Sequence, residues 1–173
     1  MKTYSIFAAF CCLLVLMGCS SDSSDTAPES SDPYFNFTIV DQSGKATFTG
    51  SSIHFNSNFT DVKNGEGEDT VLNTIVVVAQ DTEGKETLTL GITMEEEVTT
   101  GTYKVGTDLF SFFHAFVNYS RNIQEDQLGS QSDDGTFTIS SISGSVIRGS
   151  INIDASGSAG DLLITGEFVA TGI

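Results

Sequence analysis

The chain contains no tryptophan, two prolines, two histidines and only seven basic side chains, against 23 acidic ones. It has no apolar run near the roughly 20 residues a bilayer-crossing helix needs, and no stretch repeats its apolar residues at a helical period. Each shortage excludes something. A formal net charge of −16 repels phosphate backbones, so nucleic acid is excluded as a partner. The two histidines, His54 and His114, stand far apart and form neither a His-x-His nor a His-Glu-x-x-His metal spacing. Serine is abundant, yet no Gly-x-Ser-x-Gly elbow occurs. The acidic groups Glu66-Gly67-Glu68-Asp69, Glu95-Glu96-Glu97 and Asp133-Asp134-Gly135 lack the alternating ligand spacing of a calcium loop and read as solvated loops. The expectation is therefore a chain without metal, cofactor or catalytic residues. A hydrolase acting on polysaccharide or ester, with a site assembled from loops, is the alternative, since triad members need not be neighbours in sequence.

What is present begins at the N-terminus. Lys2, an apolar run of 12 residues from Ile6 to Met17, and Gly18 read as a secretory leader over residues 1–18. Leu16-Met17-Gly18-Cys19 resembles the lipobox of bacterial lipoproteins. That resemblance implies diacylglycerol on the Cys19 thiol, cleavage before it and acylation of the new amine. Each buried acyl CH₂ contributes about 0.8 kcal/mol, so several chains on one cysteine anchor a protein durably. Cys11 and Cys12 would leave with the leader, and Cys19 alone cannot form an internal disulfide. Residues 19–33, rich in Ser and Asp without an apolar pattern, are expected to form a flexible tether. Residues 34–173 then make one domain.

Within that domain the apolar period is two. Phe35, Phe37 and Ile39 alternate with polar residues, and Leu88, Leu90, Ile92 and Met94 alternate with threonines. Ile53, Phe55 and Phe59 suggest an irregular strand. Thr70–Gln80 is apolar on both faces, which places it centrally in its sheet. Asp81-Thr82-Glu83-Gly84-Lys85 is a hairpin turn by residue type. Arg121–Asp134 is polar and reads as the longest loop, followed by strands over Thr136–Ile142, Val146–Ile153 and Leu162–Ala170. About eight or nine short strands with regular turn signals predict an all-β fold, an antiparallel β-sandwich with an open barrel as the alternative.

The C-terminal third, with Gly135-Thr136-Phe137-Thr138-Ile139, Ile147-Arg148-Gly149-Ser150-Ile151 and Ile164-Thr165-Gly166-Glu167-Phe168, resembles the small β-sandwich lipoproteins of Bacteroidetes. The Gly101-Thr102-Tyr103 turn belongs to the same resemblance. These motifs belong to turns and strands, so they imply fold and lineage but no active site. The lineage implies outer-membrane or cell-surface placement, from Ser20 after the cysteine and from Asp22 and Asp25. It also marks Thr26 and Thr70, in Asp25-Thr26-Ala27 and Asp69-Thr70-Val71, as candidate O-glycosylation sites.

The aromatic run Phe110–Tyr119 is the most suggestive feature. As a strand it would place Phe110, Phe112, His114 and Phe116 on one face and Phe113, Ala115, Val117 and Tyr119 on the other. Phe112, His114, Phe116 and Tyr119 are its candidate ligand contacts, with core packing as the competing use. The sequence thus reads as a non-catalytic, lipid-anchored envelope module that binds a glycan, a peptide or another envelope protein, or serves as an accessory subunit of a surface assembly. Its anchor is directly testable: palmitate fed to cells should label the wild-type chain and not Cys19→Ala, and label persisting in that variant would remove the anchor.

Overall fold

A computed structural model describes residues 31–123 and 126–173. Leu16, Met17, Gly18, Cys19 and Thr26 therefore lie outside the described residues. Eleven strands follow one another: β1 (Tyr34–Asp41), β2 (Gly44–Gly50), β3 (Ile53–Lys63), β4 (Asp69–Gln80), β5 (Glu86–Met94), β6 (Gly101–Lys104), β7 (Gly106–Asp108), β8 (Phe113–Ile123), β9 (Asp126–Ser143), β10 (Val146–Gly157) and β11 (Leu162–Gly172). Among the described residues there is no helix. The fold is all-β, as the period-two pattern predicts.

The strands form one sheet in the order β10-β9-β8-β5-β4-β3-β11-β1-β2, with β10 also paired to β11. Every pairing is antiparallel except the contact of β11 with β3, parallel at Thr171↔His54 and Gly172↔Phe55. The sheet thus folds back on itself into a sandwich-like body with its apolar faces turned inward. β4 lies between β3 and β5, the central position expected for it; Ile75, Val77 and Ala79 are buried while Val76 and Val78 on its other face are half-buried.

Phenylalanine dominates the core, and it packs in a particular way. Phe35 pairs across strands with Gly50, Phe37 with Gly166, Phe168 with Gly149, Phe116 with Gly91 and Phe55 with Gly172. In each pair the ring lies over the glycine, where a side chain would otherwise stand: an added Cβ would sit 2.9 Å from the Phe35 ring at Gly50 and 2.7 Å from the Phe168 ring at Gly149. Glycine inside a strand weakens it unless another group uses the space, and a cross-strand aromatic ring does so. Phe35, Phe37, Phe137 and Phe168 are all fully buried. Burying such a side chain contributes roughly 1.5–3 kcal/mol.

Two features depart from the sequence reading. The stretch Arg121–Asp134 is not a loop: Asn118–Ile123 pairs with Asp126–Gln131, so β8 and β9 form a continuous hairpin. Its polarity hides the pairing, because the inward position is held by Ser130, whose hydroxyl donates to the Gly160 carbonyl at 2.9 Å. Asp133 and Asp134 consequently lie within β9 and not on a loop. The strand count also exceeds eight or nine, because β8 and β9 splay apart beyond this hairpin. The short strands β6 and β7 fill the wedge, β7 against Phe113–Ala115 and β6 against Thr136–Ile139.

The glycine pairs give a graded expectation. At Gly166 the backbone φ is +153° and a Cβ would lie 2.1 Å from the Asn36 carbonyl oxygen; at Gly149 it would lie 2.4 Å from that of Thr138. Backbone cannot give way, so Gly166→Ala and Gly149→Ala should each destabilise by about 2–4 kcal/mol in urea titrations. Gly91→Ala meets only the half-exposed Phe116 ring, which can swing aside, and should cost under about 1.5 kcal/mol. Equal losses at all three positions would contradict this packing.

Candidate functional site

The site arises from unequal strand lengths. β5 pairs with β4 only from Asn73 to Gln80, and β11 reaches β3 only at His54 and Phe55. Beyond those limits β3 and β4 pair with each other alone, through Lys63↔Asp69. They project as a two-stranded ribbon. Its turn is held by Asn64, whose side-chain oxygen accepts from the N–H groups of Glu66 and Glu68 at 3.0 and 2.9 Å, and by the Lys63–Asp69 ion pair.

On the inward face of β3, Ile53 and Phe55 are buried, Ser57 is exposed, and Phe59 is 74% exposed although it faces the same way. Phe59 shares the side of the strand that carries Ile53 and Phe55, but among the described residues no opposing strand reaches it. The other edge of β3 is equally open. Ile173 donates its N–H to the Phe55 carbonyl at 3.2 Å, and beyond Phe55 no strand pairs with this edge among the described residues. Backbone groups alternate in direction along a strand, so the N–H and C=O of Ser57, Phe59 and Asp61 point to the side where no described strand pairs.

Beside this edge lies a groove of about 530 Å³. Phe55, Ile75, Val98 and Ile147 form its buried floor, and Phe59 and Ile142 its exposed apolar walls. Asn58, Asn73, Thr99 and Thr100 supply polar groups, and Glu97 is the one ionisable side chain in the lining. The connection carrying Glu97–Thr100 is pinned. The Tyr103 hydroxyl donates to the Thr99 carbonyl at 2.7 Å and accepts from the Thr99 N–H at 3.1 Å, and Asn73 donates to the Glu95 carbonyl at 3.0 Å. The groove is therefore preformed, of a size that accommodates a small ligand or a few side chains, and its single carboxylate selects neutral or cationic occupants.

The aromatic run is divided among three environments. β8 starts only at Phe113, and Phe112 carries a left-handed φ of 49°, so Phe110 and Phe112 belong to the β7–β8 turn and not to a strand face shared with His114 and Phe116. His114 and Phe116 do meet on the outer face, with ring centroids 5.2 Å apart. Tyr119 lies on the opposite, buried face, edge-on to Phe48, and donates to Glu86 at 3.0 Å. None of the four candidate contacts lines the groove. Thr70, at the start of β4, donates its hydroxyl to Glu95 at 3.1 Å. Among the described residues, no hydrogen bond or ion pair joins His54 or His114 to a carboxylate or serine, and no three His, Cys, Asp or Glu side chains converge as for a metal.

The groove residues were not singled out by sequence. A faint signal existed: Ser57 breaks the inward apolar series between Phe55 and Phe59, marking the point where the strand leaves the core. No protein-family model, curated protein or solved structure matches the chain.

Burial and the neighbouring Glu86 carboxylate push the Tyr119 hydroxyl well above the ordinary tyrosine range. A phenol kept neutral in the fold contributes stability that is complete below the unfolded tyrosine value of about 10 and is lost as pH rises past it. Urea midpoints measured from pH 8 to beyond about 10 should fall more steeply for wild type than for Tyr119→Phe. Parallel slopes would show that this hydroxyl ionises as freely in the fold as in the unfolded chain.

Proposed function

We propose that this chain is a non-catalytic, lipid-anchored module of the outer membrane or cell surface that binds an extended segment of another envelope polypeptide. The observation that carries this reading is the preformed apolar groove alongside the unpaired edge of β3. An exposed sheet edge offers a ready row of N–H and C=O groups. Recognition by strand addition uses those groups for affinity and an adjacent pocket for alternate side chains. Both elements are adjacent here. Glu97 and the acidic surface favour a segment that is neutral or basic.

Two other readings fit less well. A glycan platform wants a row of exposed aromatics, whereas Phe113 and Tyr119 pack inward and Phe59 stands alone on the groove wall. A hydrolase wants converging acid–base groups, and among the described residues neither imidazole has such a partner. The reading also accords with the small β-sandwich lipoproteins that the C-terminal third resembles, with Cys19 as the anchor.

Heptapeptides selected on the purified domain test the proposal. Ser57→Pro deletes one outward N–H without touching the β3–β4 ladder, and proline is tolerated on an edge. Phe59→Ser removes a groove wall. Selected peptides should alternate apolar residues and bind at least about tenfold more weakly to each variant, in line with the loss of about 1.4 kcal/mol of binding free energy. Affinity unchanged in Ser57→Pro would eliminate strand addition, and selection of no peptide would eliminate the peptide ligand.

A further inference from the structure

Phe110 is 101% exposed and Leu109 is 80% exposed, side by side at the tip of the β7–β8 turn. Two large apolar side chains in that position give up the burial that every other phenylalanine of the core obtains. The turn is nonetheless organised to hold them outward. The Phe110 N–H donates to the Asp108 carboxylate at 3.0 Å, and Phe112 turns the chain with its left-handed φ before β8 begins. Phe113 then stacks on Tyr103, with centroids 6.4 Å apart, which fixes the base of the turn.

Strand directions place this tip relative to the chain's entry. β1 runs away from Tyr34 antiparallel to β11, and β11 is antiparallel to β10, β10 to β9 and β9 to β8. The start of β1 and the start of β8 are therefore at the same end of the sheet, and the β7–β8 tip projects from that end. Fourteen residues separate Cys19 from Tyr34, a span of at most about 50 Å when fully extended. An anchored chain therefore enters the domain at this end, and not at the β1–β2 end.

From this geometry we infer that Leu109 and Phe110 insert into the same bilayer that holds the lipid anchor, so that the domain sits on the membrane in one orientation. The inference rests on the lipid-anchored reading above. The occupant is a neutral lipid surface. Asp108 is the only charged residue of the tip, no lysine or arginine lies within it, and Glu95–Glu97 leave the same end, so anionic headgroups are disfavoured.

The absence of tryptophan supplies the test. In the chain beginning at Cys19, Phe110→Trp introduces a single indole, and Cys19, the only cysteine left, can be coupled to a maleimide lipid in phosphatidylcholine vesicles. Emission should shift to the blue on coupling and lose most of its intensity when the acyl chains carry bromine. A control indole at Lys45→Trp, at the start of β2 beside the opposite-end turn, should do neither, and adding Leu109→Asp should abolish the shift. Equal urea midpoints for the variants establish that the fold is intact. Indole emission from the coupled Phe110→Trp variant that is unshifted and unquenched overturns the proposal, as does a shift that appears equally without vesicles. Because the coupling is chemical, the result is independent of whether cells lipidate Cys19, which palmitate labelling decides separately.

Discussion

The architecture depends on phenylalanine rings laid across glycines of the neighbouring strand. Among the described residues there is no cysteine to form a disulfide, and the chain contains no tryptophan. The core must be filled by smaller rings placed closely. Phe35 over Gly50, Phe37 over Gly166 and Phe168 over Gly149 bring β1, β2, β10 and β11 together on one side of the body. Phe137 meets Phe168 at 6.0 Å and Phe48 meets Tyr119 at 6.3 Å, so the same cluster reaches across to β9 and β8. Glycine costs a strand some backbone entropy, and each ring recovers apolar contact that the missing side chain would have made.

The last member of that series decides where binding surface becomes available. Phe55 pairs with Gly172 at the end of β11, and the parallel contact lasts for two residues. Beyond that contact no described strand pairs with this edge of β3, so one strand is simultaneously a core strand at Phe55 and an open edge at Phe59. The groove is thus a consequence of closure geometry and needs no dedicated loop. Its floor residues, Phe55, Ile75 and Ile147, are ordinary core residues at the rim of the fold. Rigidity follows from the same source, since the walls are strands and a connection tied down by Tyr103, and a preformed site loses less entropy on binding.

Period-two alternation was sufficient for β1, β5, β10 and β11, where one face meets the core along most of the strand, and two apolar faces sufficed for the central β4. It failed at Arg121–Asp134 because a strand whose inward position holds Ser130 carries no apolar mark, although its backbone pairs regularly. It misread Phe110–Tyr119 for the reverse reason. The apolar residues continue in sequence past the point where the strand begins, and a left-handed residue at Phe112 resets the alternation. β6 and β7 are too short for any periodicity to register, and their existence depends on β8 and β9 splaying apart. The groove was illegible in a deeper sense. Phe59 has the same local pattern as Phe55, and only the distant end of β11 separates a buried ring from an exposed one.

The two ends of the body differ in chemistry, and the difference bears on how the domain works at a surface. At one end the β1–β2 turn is closed by Asp41, whose carboxylate accepts from Ser43 and Gly44 and is held below its usual range chiefly by the Ser43 hydroxyl. The β4–β5 turn nearby is closed in the same way by Asp81, which accepts from Lys85 and Glu86. Such turns are self-satisfied and leave little for a partner to bind. At the opposite end, apolar side chains remain uncovered at Phe59, Leu109 and Phe110, and backbone groups remain unpaired along β3. Under the lipid anchorage and orientation proposed above, this unsatisfied surface would lie between the domain and the membrane. In that proposed arrangement, an open strand edge that would invite aggregation in a freely diffusing protein would be shielded from other copies yet open to segments that lie along the bilayer. On this view the acidity serves the same end. Like charges keep neighbouring domains apart on a shared surface, so the edge stays available for a partner and not for itself.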